Sequence, residues 1–210
     1  MRTSDEDENE EEEEEASLLY PLTTILERLD LGKLFRKVQP LEVELGSGDG
    51  SFLVNYARLH AERNFIGVER LQGRIRKIDK KGRRAGLRNL RGIRIESAYF
   101  LEYLLPEQSA EALHIYFPDP WPKRKHWGHR LIKEGFPELA ERALEADGAV
   151  FLRTDDGPYF QQMVEVFGGA KGFERIETPG ELSACLTDFE EEFRAKGVET
   201  LQAAFRKVRR

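Results

Sequence analysis

Leu41–Leu45 reads as a short strand that runs without a linker into Gly46-x-Gly48-x-Gly50, and the residues that follow place Phe52, Leu53, Tyr56 and Leu59 at helical spacing. Strand, glycine turn and amphipathic helix thus succeed one another directly. Glycine is needed where such a turn requires positive φ, and where a ligand must approach the backbone without a Cβ in the way. An ordinary βα turn uses the same residue, so the cluster alone leaves the matter open. Two acids narrow it. Glu44 lies in the strand, and Glu69 ends a second strand, Asn64–Val68, about 20 positions past the glycines, where ribose hydroxyls are gripped in dinucleotide-type sites.

The alternation continues along the chain. Leu71, Ile75, Ile78 and Ala85 mark a helix, residues 93–96 read as a third strand with Ser97 at its tip, and residues 99–105 form a helix closed by Pro106. Residues 112–117 are a fourth strand. Pro137 suits the first turn of a helix reaching residue 146, and Asp147-Gly148 stops it. Residues 149–152 are a fifth strand ending at Arg153-Thr154-Asp155-Asp156, followed by a helix over 158–167, a strand at Phe173–Ile176, a helix opened by Thr187 and a last strand over 200–208. Near the start, Leu22, Leu26, Leu29, Leu34, Phe35 and Val38 approximate a helical stripe through residues 18–38, broken near Gly32. The class expected is α/β: a Rossmann-like, seven-stranded, mostly parallel sheet with helices on both faces and a ligand site at the strand C-terminal edge. Glu44, Glu69, Ser97, Asp119 and Asp155 all fall at or just beyond strand ends, which a site built from successive βα loops accounts for and scattered surface acids do not.

Charge is distributed unevenly. The formal charge is -6, but residues 1–16 hold ten acids and one Arg, leaving 29 acidic and 32 basic residues, or +3, in the remainder. The block at 5–15 has no apolar residue with which to offset chain entropy, so an acidic disordered tail (1–16) ahead of one domain (17–210) is expected, as a solubilising or an interacting segment. Residues 70–94 carry eleven Lys or Arg and one acid, Asp79. A solvated face normally mixes signs, so this bias favours contact with a phosphate backbone. The single Cys185 excludes an internal disulfide framework and a multi-cysteine zinc site. No apolar run of about 18 residues is present for a membrane span, and a cytosolic protein is expected.

The densest chemistry lies at 116–127, Tyr-Phe-Pro-Asp-Pro-Trp-Pro-Lys-Arg-Lys-His-Trp. Pro118, Pro120 and Pro122 stiffen the backbone and remove donors, so the segment is a rigid loop at a strand end. One carboxylate, Asp119, two tryptophans and a group of cations suit a flat, polar, anionic ligand. Either Trp121 or Trp127 could stack on a base or simply brace the loop. His114, His126 and His129 are not spaced as a metal site. Thr187 and Glu190 form a capping-box pattern, which has a purely structural reading.

The run Phe-Pro-Asp-Pro-Trp-Pro-Lys, placed after a strand and downstream of Glu44-Leu45-Gly46-Ser47-Gly48-Asp49-Gly50, resembles the bacterial tRNA (guanine-N7-)-methyltransferases over roughly residues 17–210. The resemblance implies an S-adenosyl-L-methionine-dependent enzyme that methylates N7 of a guanosine in the tRNA variable loop, forming 7-methylguanosine. It implies a cofactor site of Glu44, Gly46, Gly48, Gly50, Glu69, Glu96, Ser97 and Asp119, with Asp119 also catalytic. Lys123, Asp155, Thr187, Asp188, Phe189 and Glu190 match its substrate residues. The family usually has Asp or Asn where Ser97 stands, so the adenine contact departs from the pattern. No metal and no membrane is implied, and the oligomeric state is left open.

Two other classes compete. A dinucleotide-dependent dehydrogenase is opposed by the glycine spacing and by the lack of a hydride-transfer set. A catalytically silent RNA-binding domain is supported by the basic stretch but not by the acidic edge.

Overall fold

The computed structural model describes residues 17–209; the tail expected at 1–16 lies outside them. Seven strands form one sheet in the order β3-β2-β1-β4-β5-β7-β6. They are β1 Leu41–Leu45, β2 Asn64–Val68, β3 Leu90–Ile93, β4 Ala110–Tyr116, β5 Leu144–Thr154, β6 Phe173–Ile176 and β7 Leu201–Lys207. The first five run parallel, whereas β7 pairs antiparallel with both β5 and β6. The sheet expected from sequence is therefore present.

The period-two alternation of the strands feeds two apolar layers. Val43, Leu45, Ile66, Val68, Leu113, Ile115, Val150 and Leu152 pack on one face. That face is covered by the segment Ser97–Leu104 and by helices over Phe136–Ala143 and Gly157–Gly168, through Phe100, Leu104, Phe136, Tyr159 and Phe167. Phe65, Ala112, Tyr116 and Phe151 face the other way, against helices over Ser51–Leu59 and Gln72–Arg84 through Phe52, Leu53, Tyr56, Ile75 and Ile78. Helices on both faces are what parallel crossovers require.

Two expectations are corrected. Residues 18–38 are not a helix: only Leu31–Leu34 forms one turn, capped by Asp30. Leu26 and Val38 are 86% and 97% exposed while Leu18, Leu29 and Leu34 are buried, so the stripe does not share a face. The segment is instead a strap hydrogen-bonded to the edge strand, where Tyr20 N donates to Gly92 O at 2.9 Å and Gly92 N to Leu18 O at 2.8 Å, and to the helical turn Phe100–Leu104, where Leu29 N donates to Leu104 O at 2.8 Å. Tertiary hydrogen bonds outcompete a propensity worth only fractions of a kcal/mol per residue. The third strand, expected at 93–96, is Leu90–Ile93, because Glu96 is taken as a helix cap. Its carboxylate accepts from Ala98 N at 3.0 Å and Tyr99 N at 2.7 Å. Smaller differences concern ends: the helix from Pro137 stops at Ala143, and β5 starts at Leu144 and turns through Asp147, whose φ is +64°.

Candidate functional site

The C-terminal ends of β1 to β4 open onto a cleft of about 380 Å³. Gly46, Glu69, Arg74, Glu96, Ser97 and Asp119 are among its lining residues, so the structure brings together one group from each of four successive loops.

The glycine turn is built as its spacing implied. Gly46, Gly48 and Gly50 have φ of +80°, +56° and +77°. A Cβ on Gly46 or Gly48 would meet nothing within 4 Å, leaving the backbone open to a ligand, whereas one on Gly50 would lie 2.7 Å from Ile78 Cγ1. Gly50 therefore serves close helix packing. Glu69 braces the turn from the neighbouring strand, accepting from Gly48 N at 3.1 Å and Leu71 N at 2.7 Å. Each of its oxygens keeps a lone pair for a further donor.

Beneath the turn, Glu44 is buried and its Oε2 has no hydrogen-bond partner. Burial pushes this carboxyl well above the usual 4.5; the charge of Arg153 opposes the shift, and those of Asp49 and Glu69 reinforce it. A buried carboxylate oxygen without a partner costs free energy until a donor arrives. A cationic ligand group settled on the glycine turn is such a donor.

The proline loop departs from β4 under strain. Phe117 and Trp121, which bracket Pro118-Asp119-Pro120, have φ of +50° and +45°, rare for bulky residues. Strain of about 1–3 kcal/mol per such residue persists only where surroundings impose it. Here a buried arginine imposes it: Arg130 donates from Nε to Pro120 O at 2.7 Å and from Nη1 to Gln162 Oε1 at 2.5 Å. Its guanidinium also lies 4.6 Å from the ring centroids of both Trp127 and Tyr159. Asp119 is held exposed at the cleft, with Trp121 packed 5.0 Å from His129. Trp127 thus braces through Arg130, and Trp121 is the tryptophan that lines the cleft. Arg130 had no sequence signal, since nothing marks a lone arginine in a loop as buried.

The remaining expected residues lie outside the lining of this cleft. Lys123 and Asp155 are exposed, Lys123 just ahead of the turn Arg124–His129 and Asp155 beside Asp156, which caps the next helix through Tyr159 N at 2.7 Å. Thr187 and Glu190 are buried and form the full capping box of the helix Asp188–Ala195. Glu190 also takes a 2.9 Å ion pair from Arg153, whose guanidinium donates further to Cys185 O and Leu182 O. Asp188 and Phe189 are the exposed members of the four. The segment is nevertheless fastened to the site. Lys81 lies 2.9 Å from Asp49 and 3.5 Å from Asp188, Asp188 N donates to Ser51 Oγ at 3.2 Å, and the ring of Phe189 is 6.1 Å from that of Phe117. Lys81 and Arg153 were missed by sequence reasoning, although an arginine directly after the apolar run 149–152 was a visible signal.

His114 lies in the core, with Nε2 2.6 Å from Glu42 Oε2 and Nδ1 2.8 Å from the Tyr116 hydroxyl. Among the described residues, no group of three His, Cys, Asp or Glu could hold a metal ion, and no helix is long and apolar enough to cross a membrane.

Comparison with known proteins agrees with this architecture. Residues 38–203 match a family model described as a putative methyltransferase. The tRNA (guanine-N(7)-)-methyltransferase of Sodalis glossinidius is 35% identical over 168 residues, 78% of this chain and 70% of its own length. Those of Thermotoga maritima and Chromohalobacter salexigens are 31% and 37% identical, covering 86% and 72% of this chain but 58% and 62% of their own lengths. Among solved structures, the 16S rRNA methyltransferase KamB superposes with a TM-score of 0.61 at 16% identity, over 87% of this chain and 95% of that one. A 30S ribosomal methyltransferase from an uncultured bacterium gives 0.60 at 16% identity, over 87% and 96%. These two likenesses concern the fold.

Proposed function

Because the chain belongs to the tRNA (guanine-N(7)-)-methyltransferase family, we propose that it transfers a methyl group from S-adenosyl-L-methionine to N7 of a guanosine in the tRNA variable loop, in the cytoplasm. The observation that carries this reading is the partnerless oxygen of Glu44, buried in the strand that leads into an open glycine turn, next to a cleft lined by Gly46, Glu69 and Asp119.

The donor set suits the cofactor. Glu44 answers its ammonium group, the backbone of Gly46 and Gly48 leaves room for its methionine part, and the spare lone pairs of Glu69 accept ribose hydroxyls. Ser97 lies by the adenine with one hydroxyl to offer, since both oxygens of Glu96 already cap a helix. When bound, the cofactor supplies a methyl group made electrophilic by its sulfonium.

Guanine N7 carries a lone pair and no proton, so no general base is needed. The task of the chain is aim and electrostatics. Orientation in line with the methyl can contribute about 7–11 kcal/mol. Asp119, fixed by Pro118, Pro120 and Arg130, accepts from the guanine N1 and N2 donors and opposes the positive charge that grows on the ring. Lys123, Asp155 and the exposed Asp188 and Phe189 contact the RNA around the base, and Thr187 and Glu190 hold that segment in shape. The cationic stretch at 70–94 meets the phosphate backbone.

Nucleoside mass spectrometry of tRNA incubated with protein and S-adenosyl-L-methionine tests the reaction: 7-methylguanosine should accumulate, and unchanged nucleosides would refute it. Calorimetric titration separates the rivals, because binding of NAD in place of S-adenosyl-L-methionine would favour a dehydrogenase, and binding of neither an RNA-binding domain.

A further inference from the structure

Arg153, near the C-terminal end of β5, is 1% exposed, and its guanidinium reaches three points of one stretch of chain. Nη1 donates to Cys185 O and to Glu190 Oε2, both at 2.9 Å, and Nη2 donates to Leu182 O. Leu182 lies in the short helix Gly180–Ala184 and Cys185 caps its end, so the cation meets the carbonyl end of that helix. Glu190 lies in the first turn of the next helix, Asp188–Ala195, and the same oxygen accepts from Thr187 N at 2.8 Å to close the capping box. One side chain therefore spans the junction of two helices. Asp188 and Phe189, both exposed, stand at that junction.

The other side of Arg153 is fastened to the two loops of the cleft. Its guanidinium lies 4.3 Å from the ring centroid of Tyr116 and 5.6 Å from that of Phe52. Tyr116 directly precedes the strained Phe117 of the proline loop, and Phe52 stands in the first turn after the glycines. Arg153 O also accepts from Phe117 N at 2.8 Å. By contrast, the ion pair of Lys81 with Asp188 is largely exposed, and such a pair holds geometry weakly. A buried guanidinium with several planar donors fixes both distance and direction.

We propose that Arg153 is a positioning residue for the RNA, setting the junction at 187–189 so that Asp188 and Phe189 meet the nucleotides at a fixed distance from Asp119. This rests on the reading that the substrate is tRNA. A lysine would keep the charge, but its ammonium cannot reproduce the planar fork that serves Glu190, Cys185 O and Leu182 O together.

Deuterium exchange on the RNA-free protein tests the positioning without tRNA or turnover. In Arg153→Lys, amides of residues 182–195 should exchange about 10-fold faster, while those of the helices Gln72–Arg84 and Phe136–Ala143 stay within about 2-fold of the parent. Unchanged exchange at 182–195, or a rise spread over the whole molecule, would overturn the proposal. The double variant Arg153→Met with Glu190→Gln keeps the test decisive if the lysine variant does not fold. It removes both buried charges together, a change that buried pairs tolerate, and Gln retains the capping box. It should show the same local increase, and its absence would equally overturn the proposal.

Affinities for a tRNA transcript show whether Arg153 acts through the junction. Arg153→Lys and Phe189→Ala should each weaken binding about 10-fold, within the range for one stacked aromatic. Together they should weaken it by about 10-fold again rather than ~100-fold, because the second change removes what the first has already displaced. Affinity for S-adenosyl-L-methionine should stay within about 2-fold. Additive losses, unaltered tRNA affinity in Arg153→Lys, or a cofactor loss as large as the tRNA loss would each overturn the proposal. A parent that binds no tRNA would instead refute the reading on which it rests.

Discussion

Glu42 and Glu44 stand two residues apart on β1, on the same face of the sheet, and both are buried, yet only one has its charge answered. Glu42 takes a 2.6 Å contact from His114 and a 2.5 Å one from Arg63, which also reaches Glu111 at 2.7 Å. Burial alone would raise Glu42, but the hydrogen bond and charge of His114, with those of Arg63, hold it below 4.5. Glu44 has Arg153 nearby, but the hydrogen bonds of that guanidinium go to Glu190 and to the backbone of Cys185 and Leu182, and burial keeps Glu44 high. The N-terminal half of the strand completes its own network. The C-terminal half leaves one open where the cleft begins, which is how a site differs from a core built of the same residue type.

The largest expected effect tests the completed network. Glu42→Ala leaves the buried His114 without its carboxylate and takes one of the carboxylates from Arg63, which keeps Glu111, and loss of one partner from a buried pair costs about 3–5 kcal/mol. The urea midpoint should fall accordingly. A change below about 1 kcal/mol would mean that water or relaxation answers the charge instead.

At the open end, Asp119→Asn keeps size and loses charge. Single-turnover methylation at saturating cofactor and tRNA should fall roughly 100-fold or more, the scale for one preorganised electrostatic group. Folding and tRNA affinity should hardly move. A rate within a few-fold of the parent would reduce Asp119 to a loop brace.

The most delicate contrast is Glu44→Gln. Affinity for S-adenosyl-L-methionine should drop by about 10-fold or more, from loss of a charged hydrogen bond worth ~1.5–3 kcal/mol. Stability without ligand should hold or rise, the reverse of Glu42→Ala. The signs with pH oppose one another too. A carboxyl lowered by folding contributes stability that is present above 4.5 and is lost as pH falls through its folded value, which is the case of Glu42. A carboxyl raised by folding withdraws stability as pH rises from 4.5 through its folded value, so Glu44→Gln should flatten that decline. If both variants destabilise alike, the contrast between the two ends of β1 is void.

Much of this was legible in the residues, for a physical reason in each case. Asn64–Val68 falls where its apolar residues put it, and Phe173–Ile176 where its apolar ends flank Glu174 and Arg175, since a strand's burial pattern is local. Gly46-x-Gly48-x-Gly50 announced a turn because its φ values admit little else. The strap was misread because Leu22, Leu26 and Val38 mimic a helical period, while its hydrogen bonds go to Gly92 and Leu104, far off in sequence. Ile93 was taken as the start of a strand and proved to be its end, because Glu96 was needed to cap the helix after it. Glu190 shows the same limit within the site: its motif was visible, but not that Arg153 would bury it.

The place of β7 has a consequence for the order in which the molecule is made. β7 lies between β5 and β6 and is the only strand with which β6 pairs among the described residues. Until synthesis has passed Lys207, Phe173–Ile176 has no strand beside it and one side of β5 is open. The parallel half of the sheet, with the glycine turn and the proline loop, can form before then, but an unpaired backbone edge is exposed throughout the interval. A chain interrupted near Val198 would thus carry most of the cleft together with a surface prone to pair with other chains.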